Sequence, residues 1–399
     1  LPFAHSTAQD ILKEDYKPVV RGQLNNKFVI LDLATQNEDD VEGIEAVLST
    51  HQGRNKGVGA RGAFQQLPTA GAQSYKKSRI PLKRNYATIK VEGYLVRMAR
   101  SDRGSFVRAV ESEIKGAVVD LRRDVNRQCY TPASGQIAAT AGSPTATSVA
   151  VATTAQARRL EPGYRYDIVE AASDLVVRTI DLTSVNVGTK TLTYTTVLVG
   201  TGTAATGNRI VNTGVTPSES LEITGIESIV DSSGSIFGID PASYPRWASY
   251  EEAVSGLPTD SVFEKAADEV HLACGEDIDL VITSHEVART FAQTQKGSKR
   301  FTTEPTVLKG GFSAVTVTTP TATFALRAER DCETAEAYGL TTAKLIHYKA
   351  SDWEWMDEDG AVLFRSDGQD AYEATAFRYH ELATDQRNAH FKLTGLTTV

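Results

Sequence analysis

The sequence predicts an α+β chain built from several packed parts, and three observations carry that reading. One long helical stripe lies in the first third, a Gly- and Thr-rich run of short β segments fills the middle, and alternating helix and strand patterns close the chain. At 399 residues the chain exceeds the length at which a single hydrophobic core keeps growing. Its 41% apolar, 8% aromatic and 23% charged residues are those of a folded globular protein and exclude a disordered or fibrous one.

In chain order, the first 36 residues show no sustained period and read as an extended arm, with a short strand at Phe28 to Leu33. Asn37 to Leu48 fits a short amphipathic helix: Asn37 caps it, Asp39 and Asp40 suit its positive end, and Val41, Ile44, Val47 and Leu48 share a face. From His51 to about Ile80 the chain is rich in Gly and Gln without a period, too long for an ordinary connection. Tyr86, Ile89, Val91, Tyr94 and Val96 then alternate with polar residues, as in the return strand of a long hairpin. Ser101 to Arg127 carries Val107, Val110, Ile114, Val118, Leu121 and Val125 at steps of three or four, a continuous stripe on a long helix.

From Tyr130 to about Thr216, glycines punctuate β-branched runs at Leu175 to Ile180, Thr191 to Val199 and Arg209 to Val211, with a hairpin turn at Val187 to Lys190. This reads as an all-β module. After a Gly- and Ser-rich joint at Asp231 to Gly238, a helix is expected over Thr259 to Cys274 and a buried strand over Leu280 to Ile282. Ser284 then caps a helix through Phe291. Strands are expected at Phe312 to Val317, Thr323 to Arg327, Leu345 to Ala350, Leu363 to Arg365 and Ala371 to His380.

Charge is sorted along the chain. The net charge of −8 does not favour a dedicated nucleic-acid binder. Yet no acidic residue lies between Thr50 and Glu92, where Arg54, Lys56, Arg61, Lys76, Lys77, Arg79, Lys83, Arg84 and Lys90 fall. Glu38, Asp39, Asp40, Glu42 and Glu45 stand just upstream, and Asp352, Glu354, Asp357, Glu358 and Asp359 form a second acidic cluster. A long basic hairpin beside an acidic segment suggests docking between subunits, because a symmetric assembly needs each copy to supply both surfaces. DNA binding and a merely solvated charge run are the alternatives.

Catalytic and metal signatures are missing. Cys129, Cys274 and Cys332 are scattered and suit a reducing compartment, and the seven histidines show no metal-ligand spacing. Gly57, Gly59 and Gly62 match G-x-G-x-x-G without the strand, helix and acidic residue of a nucleotide site, so they read as a pliable loop tip. Asp357, Asp359 and Gly360 open like a calcium loop, but Val362 and Arg365 stand where later ligands belong; a D-G hairpin turn between Trp355 and Leu363 is the better reading. Ser284 beside His285 is adjacency, not a triad. No enzyme, cofactor or metal is expected, and no run of about 18 apolar residues suggests a membrane span.

The order of parts resembles the major capsid proteins of tailed bacteriophages, the fold of lambdoid phage heads. Local wording adds to it: D-P-A-S-Y-P-R-W at Asp240 to Trp247, D-L-V-I-T-S at Asp279 to Ser284 before His285, and W-M-D-E-D-G-A-V-L-F-R at Trp355 to Arg365 with Arg387 beyond. The resemblance implies an N-terminal arm over 1–50, an extended loop over 51–97, a spine helix of the peripheral domain over 98–130, and an axial domain over 230–345. Residues 346–399 would return through the peripheral domain, and 131–229 would hold a β-rich insertion and peripheral strands.

It further implies a subunit that assembles into hexamers and pentamers of an icosahedral shell around double-stranded DNA, in a virion made in a bacterial cytoplasm. Scaffolding, portal and decoration proteins would be its other partners. The docking surface would comprise the basic hairpin residues with Glu38, Asp39 and Asp40, and Arg122, Arg123 and Arg127 are candidates to face the DNA. Some members join subunits by a Lys–Asn isopeptide; Lys56, Lys76, Lys77 and Asn388 exist here, but no motif singles out a pair. An encapsulin-like shell around cargo is the alternative within the fold. A carbohydrate-binding or tail β module is the alternative outside it.

Overall fold

The computed structural model describes residues 29–38, 40–93, 116–117, 119–295, 306–308, 312–318, 322–357, 364–365 and 368–398. The frame is the 14-residue strand Ala371–Thr384. On one side it pairs antiparallel with Lys83–Glu92, from Ala371 opposite Glu92 to His380 opposite Lys83. On the other side Leu345–Lys349, Glu354–Trp355 and Phe364–Arg365 lie in line along it, and Thr35–Asn37 adds a parallel edge outside Leu345–Lys349. The expected D-G hairpin is therefore corrected: its two arms do not face each other but lie in line along one long partner strand, which pairs with both. Residues 358–363 lie outside the described set.

Lys83–Glu92 continues directly from a projecting hairpin. Glu45–Gly53 pairs antiparallel with Ser74–Pro81, and residues 54–73 join them. The helix expected over Asn37 to Leu48 is replaced by strand. Val41–Glu42 turns back at Gly43, whose φ of +70° breaks helical geometry, and pairs with Glu45 and Ala46. The apolar steps of three and one fit a helical face and not a period of two, but pairing with Ser74–Pro81 overrides them: Val41 and Leu48 pack on the core while Ile44 and Val47 stay exposed. The strand expected at Phe28 to Leu33 is instead a helical turn, Val29–Leu33, that buries Ile30 and Leu31. A short continuous apolar run carries no period to separate the two.

Residues 119–128 are helical and press Leu121 and Val125 into the core shared by the long sheet and Ile223, Ile226 and Ile229. The first half of the expected stripe, 101–115, is outside the described residues.

The all-β module is a barrel. Its six strands run Ala138–Ala139, Arg209–Asn212, Arg165–Val169, Val176–Asn186, Thr191–Val199, Ser148–Ala150 in spatial order. The Thr140–Val151 bridge and the bond from Ala152 N–H to Ala139 O (3.0 Å) close the ring, so neither end strand is left as an open edge. Ile168, Ile180, Leu192 and Ile210 fill it, and the helix Thr154–Arg159, capped by the Thr153 hydroxyl, covers one end.

The last part is a seven-stranded sheet ordered Tyr250–Ala253, Phe391–Thr394, Ala337–Leu340, Leu280–Thr283, Thr323–Ala328, Phe312–Thr318, Thr306–Leu308. Asp260–Cys274 and His285–Gln295 pack on it through Phe263, Val270 and Phe291. Gly275, at φ +80°, ends the first helix, and the Ser284 hydroxyl accepts from Val287 N–H (3.4 Å) at the start of the second. Ala337–Leu340, Phe391–Thr394 and Tyr250–Ala253 were not anticipated from the sequence.

Candidate assembly surface

The projecting hairpin holds most of the charged residues singled out above, and the fold sorts them into used and unused. Arg79 pairs with Glu45 across the two strands (2.5 Å), and the Lys83 ammonium donates to the Ser220 carbonyl. Lys76 sits over the Tyr244 ring, 5.7 Å from its centroid. Arg61 folds back on the carbonyls of Gln66 (3.1 Å) and Ala60 (2.9 Å). Arg54, Lys56, Lys77 and Arg84 form no ion pair among the described residues. On the acidic side, Glu38 is bound to Lys349 (2.8 Å) and Asp40 accepts from the Asn37 carboxamide (2.7 Å), while Asp39 lies outside the described residues.

The tip adds what charge counting missed. Val58, Phe64 and Leu67 are 83%, 104% and 78% exposed, in a loop with no acidic residue. The signal was visible as three large apolar residues inside an otherwise polar stretch. Small residues let the loop's two legs touch: a Cβ on Gly57 would stand 2.7 Å from the Thr69 carbonyl oxygen and 2.9 Å from the Gly71 nitrogen. Turns within the loop are held by Asn55 Oδ1, which accepts from Gly57 N–H (2.7 Å), and by Gln65 Oε1, which accepts from Gly62 N–H (3.0 Å). The tip thus presents apolar and cationic groups on a braced loop rather than a nucleotide cradle.

The three arginines near the helix end do not form one basic face. Arg127 is buried, and its guanidinium binds Glu222 through two bonds (2.6 and 3.0 Å) and Asp124 at 2.8 Å. Burial disfavours its charge, but the two carboxylates more than compensate and hold its proton firmly. Its expected DNA-facing role is corrected on this ground: a neutralised, buried cation has nothing to offer a phosphate. Arg123 pairs with Glu161 (2.6 Å) and Arg122 is half-buried near Asp32, whose charge partly offsets burial's lowering of its proton affinity. Both line a cleft of about 1070 Å³ where Arg327 and Arg330 face Asp120, Glu161 and Asp331, a mixed field of no single sign. Among the described residues no three His, Cys, Asp or Glu side chains are grouped to hold a metal, and no helix is long and apolar enough to cross a membrane.

No family model and no curated protein matches the sequence. Solved structures do match the fold. A chain of the cyanophage A-1(L) capsid asymmetric unit aligns over 96% of this chain and 93% of its own, at 13% identity and a TM-score of 0.55. A chain from the capsid of a native GTA particle aligns over 92% and 89% at 9% identity and TM-score 0.49, and one from Mycobacterium phage Adephagia over the whole of both chains at 9% and 0.45. The first of these shows that the chain has the fold of a phage capsid chain.

Proposed function

We propose that this chain is the major capsid subunit of a tailed bacteriophage, a structural protein rather than an enzyme. Copies would assemble through the seven-stranded part into hexamers and pentamers and close into an icosahedral shell around double-stranded DNA. In this reading 1–50 is the arm, 51–97 the extended loop, 98–130 the spine, 131–229 the insertion with peripheral strands, 230–345 the axial domain and 346–399 the return. The virion capsid is its location and the host cytoplasm its place of assembly, with scaffolding, portal and decoration proteins as further partners.

The shared capsid fold supports the reading, and the observation that carries it is the loop 54–73. A fully exposed Phe64 beside Val58 and Leu67, with Arg54, Lys56 and Lys77 forming no ion pair among the described residues, is a liability on a free monomer and an anchor between copies. Docking would set the apolar tip on a neighbour and let the free cations meet its carboxylates. DNA would be met by sequence-independent electrostatics, with Arg122 and Arg123 still candidates.

The test is the triple variant Val58→Ser, Phe64→Ser, Leu67→Ser. Because these side chains bury nothing in the subunit, its melting temperature should stay within a few degrees of the parent. Sedimentation and negative-stain images should show rings, tubes or shells for the parent and a loss of at least tenfold in assembled material for the variant. Equal assembly by both would refute the role given to the tip.

A further inference from the structure

A chain of side-chain hydrogen bonds, buried from His347 to Gln128 and exposed at Gln36, crosses the long sheet, and counting its protons gives a result the assembly reading does not supply. At one end the Gln36 carboxamide nitrogen donates to the carbonyls of Leu31 (2.7 Å) and Ala34 (3.4 Å). Carbonyls only accept, so Gln36 must turn its oxygen to His347 Nδ1, 3.0 Å away. At the other end Gln128 donates its nitrogen to the Asp124 carboxylate (2.7 Å) while its oxygen accepts from Ile223 N–H (3.3 Å) and from the Asn85 nitrogen (3.1 Å). Asn85 therefore turns its own oxygen to His380 Nε2, at 3.2 Å. Between them His347 Nε2 meets His380 Nδ1 at 3.0 Å. Both rings are buried.

These three contacts use all four ring nitrogens and require three hydrogens. Two neutral imidazoles carry two. Every combination of neutral tautomers leaves at least one contact without a hydrogen, either a ring nitrogen against an amide oxygen or the two ring nitrogens against each other, which is costly at the buried His347–His380 and His380–Asn85 contacts. One added proton satisfies all three contacts, and a second would set two N–H groups against each other. The same count assigns His390 differently: its Nδ1 accepts from Thr341 N–H (3.3 Å) and its Nε2 donates to the Thr384 hydroxyl (3.1 Å), whose own hydrogen goes to the Lys344 carbonyl, so that ring is satisfied when neutral.

We propose that His347 and His380 form a site for one shared proton, whose occupancy clamps the edge strand at Gln36 and the hairpin's return strand at Asn85 to the central strand. The surroundings work against the proton, so the contacts to Gln36, Asn85 and between the rings must outweigh them. Burial, then Arg378 from the central strand and Lys349 from its neighbour, push both imidazoles toward the neutral form. Asp352 lies 3.7 Å from Arg378 and Glu38 2.8 Å from Lys349, which tempers both cations. Asp32 on the helical turn and Cys129 at the far helix act on Arg378, Asp124 holds Gln128, and Lys83 and Glu381 stand beside His380 on the paired and central strands. The clamp does not depend on the chain forming shells.

The test compares the folding constant of the full chain with that of His347→Gln/His380→Gln from pH 5 to 9, at concentrations too low for assembly. A dyad holding one proton binds one more than the unfolded chain above about pH 6.5 and one fewer below it, so the parent-to-variant ratio peaks near there and falls about tenfold per pH unit on each side. A ratio flat above pH 7 that falls about a hundredfold per unit below 6 would mean a neutral pair and overturn the proposal. If that variant does not fold, Asn85→Asp places a carboxylate on the dyad and should carry the alkaline fall of stability to higher pH; no displacement would overturn it equally.

Discussion

At the scale of single residues, the interior holds more ionisable groups than a simple core would. Glu222 and Arg127 are buried together, so Glu222→Gln leaves a buried guanidinium with Asp124 as its carboxylate partner. Denaturant unfolding should show a loss of about 3–5 kcal/mol. His390 and Glu381 make opposite demands on pH. Burial pulls His390 down to about 3, below its unfolded value of roughly 6.5, so its contribution is present above that value and is lost as pH falls toward 3. Burial pushes Glu381 up to about 8, against the pull of Thr224 N–H and Lys83. Its contribution is present below the unfolded value of about 4.3 and is lost as pH rises through 8. Denaturation midpoints measured across pH should therefore lose the downward slope that Glu381 adds between about pH 4 and 8 in Glu381→Gln, and fall less steeply below pH 6 for His390→Gln. None of this was legible in the sequence: Glu222 lies 95 positions from Arg127, and nothing local marks the pair.

At the scale of elements, long patterned segments were readable, while several strands of four residues were not. Thr191–Val199 matches its expected bounds, with Leu192 and Tyr194 buried and Thr193 and Thr195 exposed. Asp260–Cys274 carries a helical stripe between Thr259 and Gly275 and begins one residue inside the expected bound. By contrast A-Y-G-L at Ala337–Leu340 and F-K-L-T at Phe391–Thr394 are too short to show a period, and only pairing makes them strands. Gly339 explains part of that pairing. A Cβ there would lie 2.1 Å from Phe391 Cε1, so the ring packs flat over the bare backbone. Gly339→Ala should cost about 1–3 kcal/mol, read as a lower midpoint in denaturant with little change in far-ultraviolet dichroism. The acidic helix failed for a related reason: a local helical spacing was overridden by pairing with the partner strand Ser74–Pro81.

For the whole molecule, the division of labour is between a closed interior and one protruding part. The barrel closes on itself and the long sheet is covered by helical residues 119–128, whereas the hairpin extends with its apolar tip uncovered. The order of parts along the chain was legible because each keeps its own composition; which charges remain free was not, since Glu38, Arg79 and Lys83 find partners only in three dimensions. Docking by the remaining cations should weaken with ionic strength, so raising salt from about 0.05 to 0.5 M should slow assembly measured by light scattering. The most direct test of the account is cryo-electron microscopy of the assembled protein. The account predicts closed shells or rings of five and six copies in which residues 54–73 lie against a neighbouring copy with Phe64 covered. Particles that remain single copies at every concentration and salt, or shells in which Phe64 still faces solvent, would contradict it.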